Sequence, residues 1–201
     1  MHKKLILATR NQDKIKEIKE LLGDLDLSIF TLADFPEAPE VVEDGSSLTK
    51  NAIKKASVIS EFTGLTAVAD DTGLEVDYLN GRPGVFSSRY AGENATYAQN
   101  VAKLLQELKG IQRVERNARF RCVVALCNKK DARTVEGICE GVIIDHVRGA
   151  GGFGYDPVFY VPEYERTFAE MEMALKNRIS HRAQAFKALK EKIKTGEFVI
   201  N

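Results

Sequence analysis

The stretch AVADDTGLEVD, residues 67–77, sets two aspartates side by side at the mouth of an apolar run. Aspartate is depleted in strands, and two together exceed what a following turn requires. Adjacent strand side chains point to opposite faces, so Asp70 and Asp71 are not expected to act as a symmetric pair. One is expected to face a ligand and do metal or general-base work. The other is expected to anchor a turn made by Thr72-Gly73.

Four further stretches carry groups that can do chemistry. TRNQDK, residues 9–14, leads from an apolar strand into a helix. Helix starts present free N–H groups and the positive end of the dipole, which favour anions. Thr9 and Asn11 can donate hydrogen bonds there and Lys14 sits one turn in, giving either a phosphate grip or an ordinary capped start. VEDG, residues 42–45, precedes a helix containing Lys54 and Lys55; it reads as dipole compensation or as the seat of a magnesium-binding carboxylate. GAGGFG, residues 149–154, satisfies G-x-G-x-x-G, but Tyr155-Asp156-Pro157 and a strand-like VFYVP follow it. The dinucleotide fingerprint needs a helix there, so the glycines read instead as a turn that approaches a ligand closely, with Phe153 a stacking face and Asp156 a carboxylate. SHR, residues 180–182, opens the last helix, four residues after Lys176. His181 and Arg182 read as donors to a carbonyl or phosphate, or as exposed basic residues of a capped helix.

The elements that position these groups alternate along the chain. Short apolar runs at 3–9 and in LSIFTL and LTAVAD predict strands. Helical spacing with cap residues predicts helices from Asn11 to Gly23, over 46–64, 94–110 and 180–196, and a short one in TFAEMEMALKN. RNARFRCVVALCN alternates polar and apolar residues and predicts a long strand with ARTVEGICEGVIIDH as its hairpin partner. The mixture is α/β, with enough antiparallel character to expect a mixed sheet.

The 201 residues suffice for one domain with a substantial core or two joined lobes. Lys+Arg and Asp+Glu are 29 each, so the formal net charge is zero. That argues against sequence-independent nucleic-acid binding, and requires any polyanion to be held by local cations or a metal. The apolar run at the N-terminus spans about five residues, short of the roughly 7–15 of a signal peptide and the about 20 of a membrane helix. A soluble cytoplasmic chain with no membrane partner is expected. Cys122, Cys127 and Cys139 lack metal-ligand spacing, and the first two read as buried hydrophobes.

LATRNQDKIKEI, VADDTGLEVDYLNGRPGVFSSRYAG, GGFGYDPVFY and ISHRAQAF together, in order and spacing, resemble the inosine/xanthosine triphosphate pyrophosphatase family, over nearly the whole chain. The resemblance implies a single pyrophosphatase domain over 1–201. Its fold would be an elongated mixed β-sheet flanked by helices, in two lobes with a substrate cleft between them, and it would form a homodimer. It implies Mg²⁺-dependent hydrolysis of ITP, dITP or XTP to the monophosphate and pyrophosphate. Carried over residue by residue, Thr9, Arg10, Asn11, Gln12, Asp13 and Lys14 resemble the triphosphate grip, with Lys55 a second phosphate contact. Glu43 resembles a magnesium ligand, with Asp44 the alternative, and Asp71 the catalytic carboxylate and metal ligand, with Thr72 touching substrate. Phe153, Gly154, Tyr155 and Asp156 resemble the base-stacking and sugar-side segment, and Lys176, His181 and Arg182 the readers of the purine. Arg10, Thr72 and Ala183 depart from the small residue, serine and glycine usual in the family. The competing readings are a related pyrophosphatase for other modified nucleotides and a non-catalytic nucleotide sensor.

Overall fold

The computed structural model describes residues 3–129 and 131–200. The apolar run of β1 (Lys3–Leu7) lies between β2 (Leu27–Thr31) and β3 (Thr66–Val76), parallel to both. The short β4 (Pro83–Gly84) pairs antiparallel with β3. The long β5 (Asn117–Asn128) and β6 (Asp131–Ile143) follow in the sheet, then β7 (Phe159–Val161) and β8 (Arg166–Thr167), whose pairings are antiparallel. The result is a mixed eight-stranded sheet in the order β2-β1-β3-β5-β6-β7-β8, with β4 off that path.

Side-chain caps set the helix starts. Asn11 caps α1 (Gln12–Leu22), its side chain accepting from the N–H of Asp13 at 2.9 Å and of Lys14 at 3.1 Å. Ser47 caps α2 (Leu48–Thr63), which stops at Gly64 in the left-handed conformation. A Thr96–Gln99 capping box opens α3 (Tyr97–Glu107). The expected helix in TFAEMEMALKN is only partly formed: a short 3₁₀ turn occupies 168–170 and α4 runs Met173–Ile179. The last helix, α5, runs His181–Lys194.

One expectation is corrected. The strand does not end at Asp70-Asp71; β3 runs on to Val76, and Thr72-Gly73 makes no turn. Gly73 is needed there for a different reason. A Cβ on it would sit 2.6 Å from the carbonyl oxygen of Gly84, so only glycine lets β4 approach.

The chain divides into two compact units, Met1–Asp71 with Cys122–Gly137 and Arg182–Asn201, and Thr72–Arg121 with Ile138–His181; the boundaries fall within β3, β5 and β6 and after the first residue of α5. Each has its own core. Leu5, Leu7, Ile18, Leu22, Val124 and Phe186 fill the first, and Leu74, Val76, Leu104, Phe120, Phe159 and Phe168 the second. The three cysteines are buried, as Cys122 and Cys127 were read to be. No helix among the described residues is long and apolar enough to cross a membrane.

Phe186 is fully buried in the first core. Truncating it removes the transfer energy of the ring and leaves a cavity. Phe186→Ala is expected to lower the unfolding free energy by about 3–5 kcal/mol, read as a lower urea midpoint. An unchanged midpoint would show that this packing does not hold the unit.

Candidate active site

Parallel pairing brings the carboxyl end of β1 beside β3: Leu7 is in register with Val68, and the N–H of Ala8 donates to the Val68 carbonyl at 2.8 Å. The loop 9–11 and the start of α1 therefore emerge next to Asp70 and Asp71. In open sheets the carboxyl ends of parallel strands are where ligands bind.

Within the first unit, Asp70 is the centre of a buried ion cluster. Its Oδ2 lies 3.0 Å from Lys14 Nζ and 3.0 Å from Arg182 Nη2. Arg182 Nη1 reaches Glu17 Oε2 at 2.6 Å, and both of those side chains are almost fully buried. Burial alone would raise the Asp70 carboxyl; Lys14, Arg182 and Lys55 outweigh it and hold it far below the usual carboxylate range. Burial likewise works to lower the Lys14 ammonium, and Asp70 reverses this, so its pKa is raised. Asp70 stays ionised, and so do its partners.

Asp71 stands in a different setting. Its Oδ2 accepts from Asn51 Nδ2 at 2.9 Å and its Oδ1 lies 3.8 Å from Lys55 Nζ. Lys55 Nζ also reaches Glu43 Oε1 at 2.6 Å and the backbone carbonyl of Asp70 at 2.7 Å. Burial pushes the Asp71 carboxyl above its ordinary value, with Glu43 adding to the rise and Lys55 opposing it. A carboxylate raised toward the working pH is a better proton acceptor than an ordinary one.

These contacts separate Glu43 from Asp44. Glu43 turns inward and shares an ammonium with Asp71, whereas Asp44 pairs on the surface with Lys54 at 2.6 Å. Glu43 and Asp71 thus already converge on one cation, which is the donor set that magnesium asks for: one or two carboxylates, with phosphates and waters supplying the rest. Among the described residues, no three His, Cys, Asp or Glu side chains group closely enough to hold a metal by themselves.

Around α1 the helix start is partly self-satisfied. The N–H groups of Asp13 and Lys14 are bound by the Asn11 cap, the N–H of Asn11 donates to Thr9 Oγ1 at 3.2 Å, and Gln12 Nε2 donates to the Arg10 carbonyl at 3.4 Å. Arg10 Nη2 donates to the Ala38 carbonyl at 2.9 Å.

The second unit holds the glycine-rich turn, and no helix follows it, as its sequence implies. Asp156, buried, accepts from the Phe153 N–H at 2.9 Å and from Lys176 Nζ at 2.6 Å through the same Oδ2. A Cβ at position 152 would collide with that oxygen, and Gly152 has φ +68°, so the turn closes only with glycine there. Gly154 also has a positive φ. Lys176 Nζ lies 4.9 Å from the Phe153 ring centroid. Tyr155 is buried and donates to the Ser87 carbonyl at 2.9 Å. His181 is buried and stacked on Phe120, with centroids 4.5 Å apart. Thr72 follows Asp71 on β3, partly buried.

The sequence-derived residues therefore fall into two groups. Lys14, Glu43, Lys55, Asp71 and Arg182 assemble around Asp70 in the first unit, with Thr9 to Asp13 leading into it. Phe153, Asp156 and Lys176 assemble in the second, with Tyr155 and His181 packed in its core. Arg182 differs from its expected exposed or ligand-facing setting, because Asp70 and Glu17 enclose its guanidinium. Sequence reasoning missed Glu17 and Asn51. Both had a signal: Glu17 is three residues from Lys14 on α1, and Asn51 four residues from Lys55 on α2, spacings that share a helix face.

A family model, the Ham1 family, matches residues 5–192. The dITP/XTP pyrophosphatase of Desulforamulus reducens is 52% identical over 189 residues, 94% of each chain, and that of Geobacter sulfurreducens 51% identical over 94% of this chain and 95% of the other. Among solved structures, a HAM1 protein from Coxiella burnetii aligns with TM-score 0.88 and 43% identity over 96% of this chain and 98% of that one. The Staphylococcus aureus Ham1 protein aligns at 0.86 and 36% over 98% and 100%. With a family model spanning most of the sequence and relatives of this similarity over nearly full length, the chain belongs to the Ham1 family.

Proposed function

We propose that the protein hydrolyses deaminated purine nucleoside triphosphates (dITP, ITP and XTP) to the monophosphate and pyrophosphate, and so cleanses the nucleotide pool. The observation that carries this reading is the convergence of Asp71 and Glu43 on Lys55, beside a lysine-bearing helix start, in a chain of this family. The relatives named as dITP/XTP pyrophosphatases support the substrate class.

The first-unit cluster is assigned to the triphosphate, with Thr9, Arg10, Asn11, Gln12, Asp13, Lys14 and Lys55 along it and Thr72 at its margin. Glu43 and Asp71 would hold Mg²⁺, which when bound neutralises phosphate charge and polarises the phosphoryl oxygens. Asp71 accepts a proton from water, the water oxygen bonds to the α-phosphorus, and the bond to the bridging oxygen breaks to release pyrophosphate. Asn51 holds the Asp71 carboxylate in orientation for that transfer. Asp70 keeps Lys14 and Arg182 charged and in place.

The base is assigned to Phe153, Gly154, Tyr155, Asp156, Lys176 and His181, with Arg182 next in the chain. Hypoxanthine and xanthine carry a carbonyl where adenine carries an amino group. Donors from Lys176 and His181 suit the first and face a donor in the second. The reading includes a homodimer, as the family resemblance implies, working in the cytoplasm, where the nucleotide pool is.

Two outcomes test it. Asp71→Asn is expected to lower pyrophosphate release from dITP by about 10²–10⁴-fold while keeping the wild-type unfolding midpoint, the range a placed base supplies. Undiminished turnover would remove Asp71 from the mechanism. With magnesium present, kcat/KM for dITP and XTP is expected to exceed that for ATP by on the order of 10⁴, the discrimination that mismatched hydrogen bonding provides. Comparable values would refute the assignment of the base, and nucleotide binding without turnover would favour a sensor.

A further inference from the structure

Tyr97 is the first residue of α3, and the Thr96–Gln99 capping box fixes its entry. It extends by one turn the stripe of Asn100, Val101 and Leu104 that α3 buries. Burial ends before Tyr97, whose side chain is 43% exposed. A tyrosine there adds little to the core. Its ring instead lies against Phe153, with centroids 6.0 Å apart and planes at 40°. Phe153 is itself fixed from behind, through the buried Asp156 that binds both its N–H and Lys176. Two partly exposed rings, one on a helix start and one on a locked glycine turn, thus meet beside a buried ammonium.

We propose that Tyr97 is a specificity-determining residue that contacts the purine of the substrate, extending Phe153 into a two-ring aromatic surface. The proposal rests on the reading that Phe153 meets the base. With centroids 6.0 Å apart and planes tilted by 40°, the two rings together offer a base more aromatic surface than either alone. A bicyclic purine is wide enough to engage both rings, and a pyrimidine engages one. Tyr97 therefore favours purines by area, while the donors near Phe153 choose among purines.

Base–aromatic stacking is strong enough to read in a steady-state assay. Y97A is expected to raise KM for dITP and XTP about ten-fold with kcat within about two-fold, and Y97F to stay within about two-fold of wild type on both. The chain has no tryptophan, so Y97W introduces a single indole. Its emission is expected to be quenched saturably by IMP and left unchanged by ribose 5-phosphate. An unmoved KM in a folded Y97A, a Y97F as impaired as Y97A, or an indole blind to IMP would each overturn the proposal. Should Y97A fail to fold, the indole titration decides. If the wild-type protein hydrolyses neither dITP nor XTP, the functional reading and the proposal fall together; if it does and Y97A matches it, Tyr97 alone is dismissed.

Discussion

A buried carboxylate is costly to ionise, and Asp70 is held ionised by Lys14 and Arg182, which close on the same oxygen, with Lys55 adding to them. Each of those cations would in turn be costly without it. The interaction ties three separate pieces of sequence together: the start of α1, the middle of β3 and the start of α5. Glu17 completes it by taking the other side of the Arg182 guanidinium. The Asp70 backbone carbonyl also receives Lys55, so one residue positions both lysines of the first-unit cluster. Its neighbour Asp71 is left to Asn51, Glu43 and Lys55, with its carboxyl raised rather than lowered. Two adjacent aspartates thus hold opposite electrostatic settings, which is the division of labour that acid–base sites require.

The second unit repeats the device on a smaller scale. Asp156 is buried and paired with Lys176, and it also fixes the backbone of Phe153. In both units a buried aspartate–lysine pair orders the groups around it. Such pairs add little net stability over an apolar core, and their value here lies in geometry.

Much of this was legible in the sequence. Hydrophobic periodicity and cap residues placed the strands and long helices, because those signals are local. The glycine run at 149–154 is followed by turn and strand rather than helix, as the residues after it favour. Three features were not legible, each for a physical reason. β3 continues through Asp70-Asp71 because distant cations compensate the aspartates, and no local propensity reports that. Arg182 reads as a ligand-facing donor or an exposed basic residue at a helix start, yet α5 packs it against carboxylates from 112 and 165 positions away. Asn51 shares a helix face with Lys55, a spacing too common to single it out, and its bond to Asp71 forms only when α2 lies beside β3. The family resemblance points to Asp71 for chemistry, but nothing in it reports that Asp70 beside it anchors Lys14 and Arg182.

The account turns on the Asp70–Arg182 pair being energetically coupled. A double-mutant cycle with Asp70→Asn, Arg182→Met and both together, followed by chemical denaturation, measures this directly. Each single change is expected to cost about 3–5 kcal/mol, because it strands a buried charge. The double change is expected to cost less than their sum by roughly 1–3 kcal/mol. Costs that add to within about 0.5 kcal/mol would show that the two groups do not depend on each other, and would contradict the account.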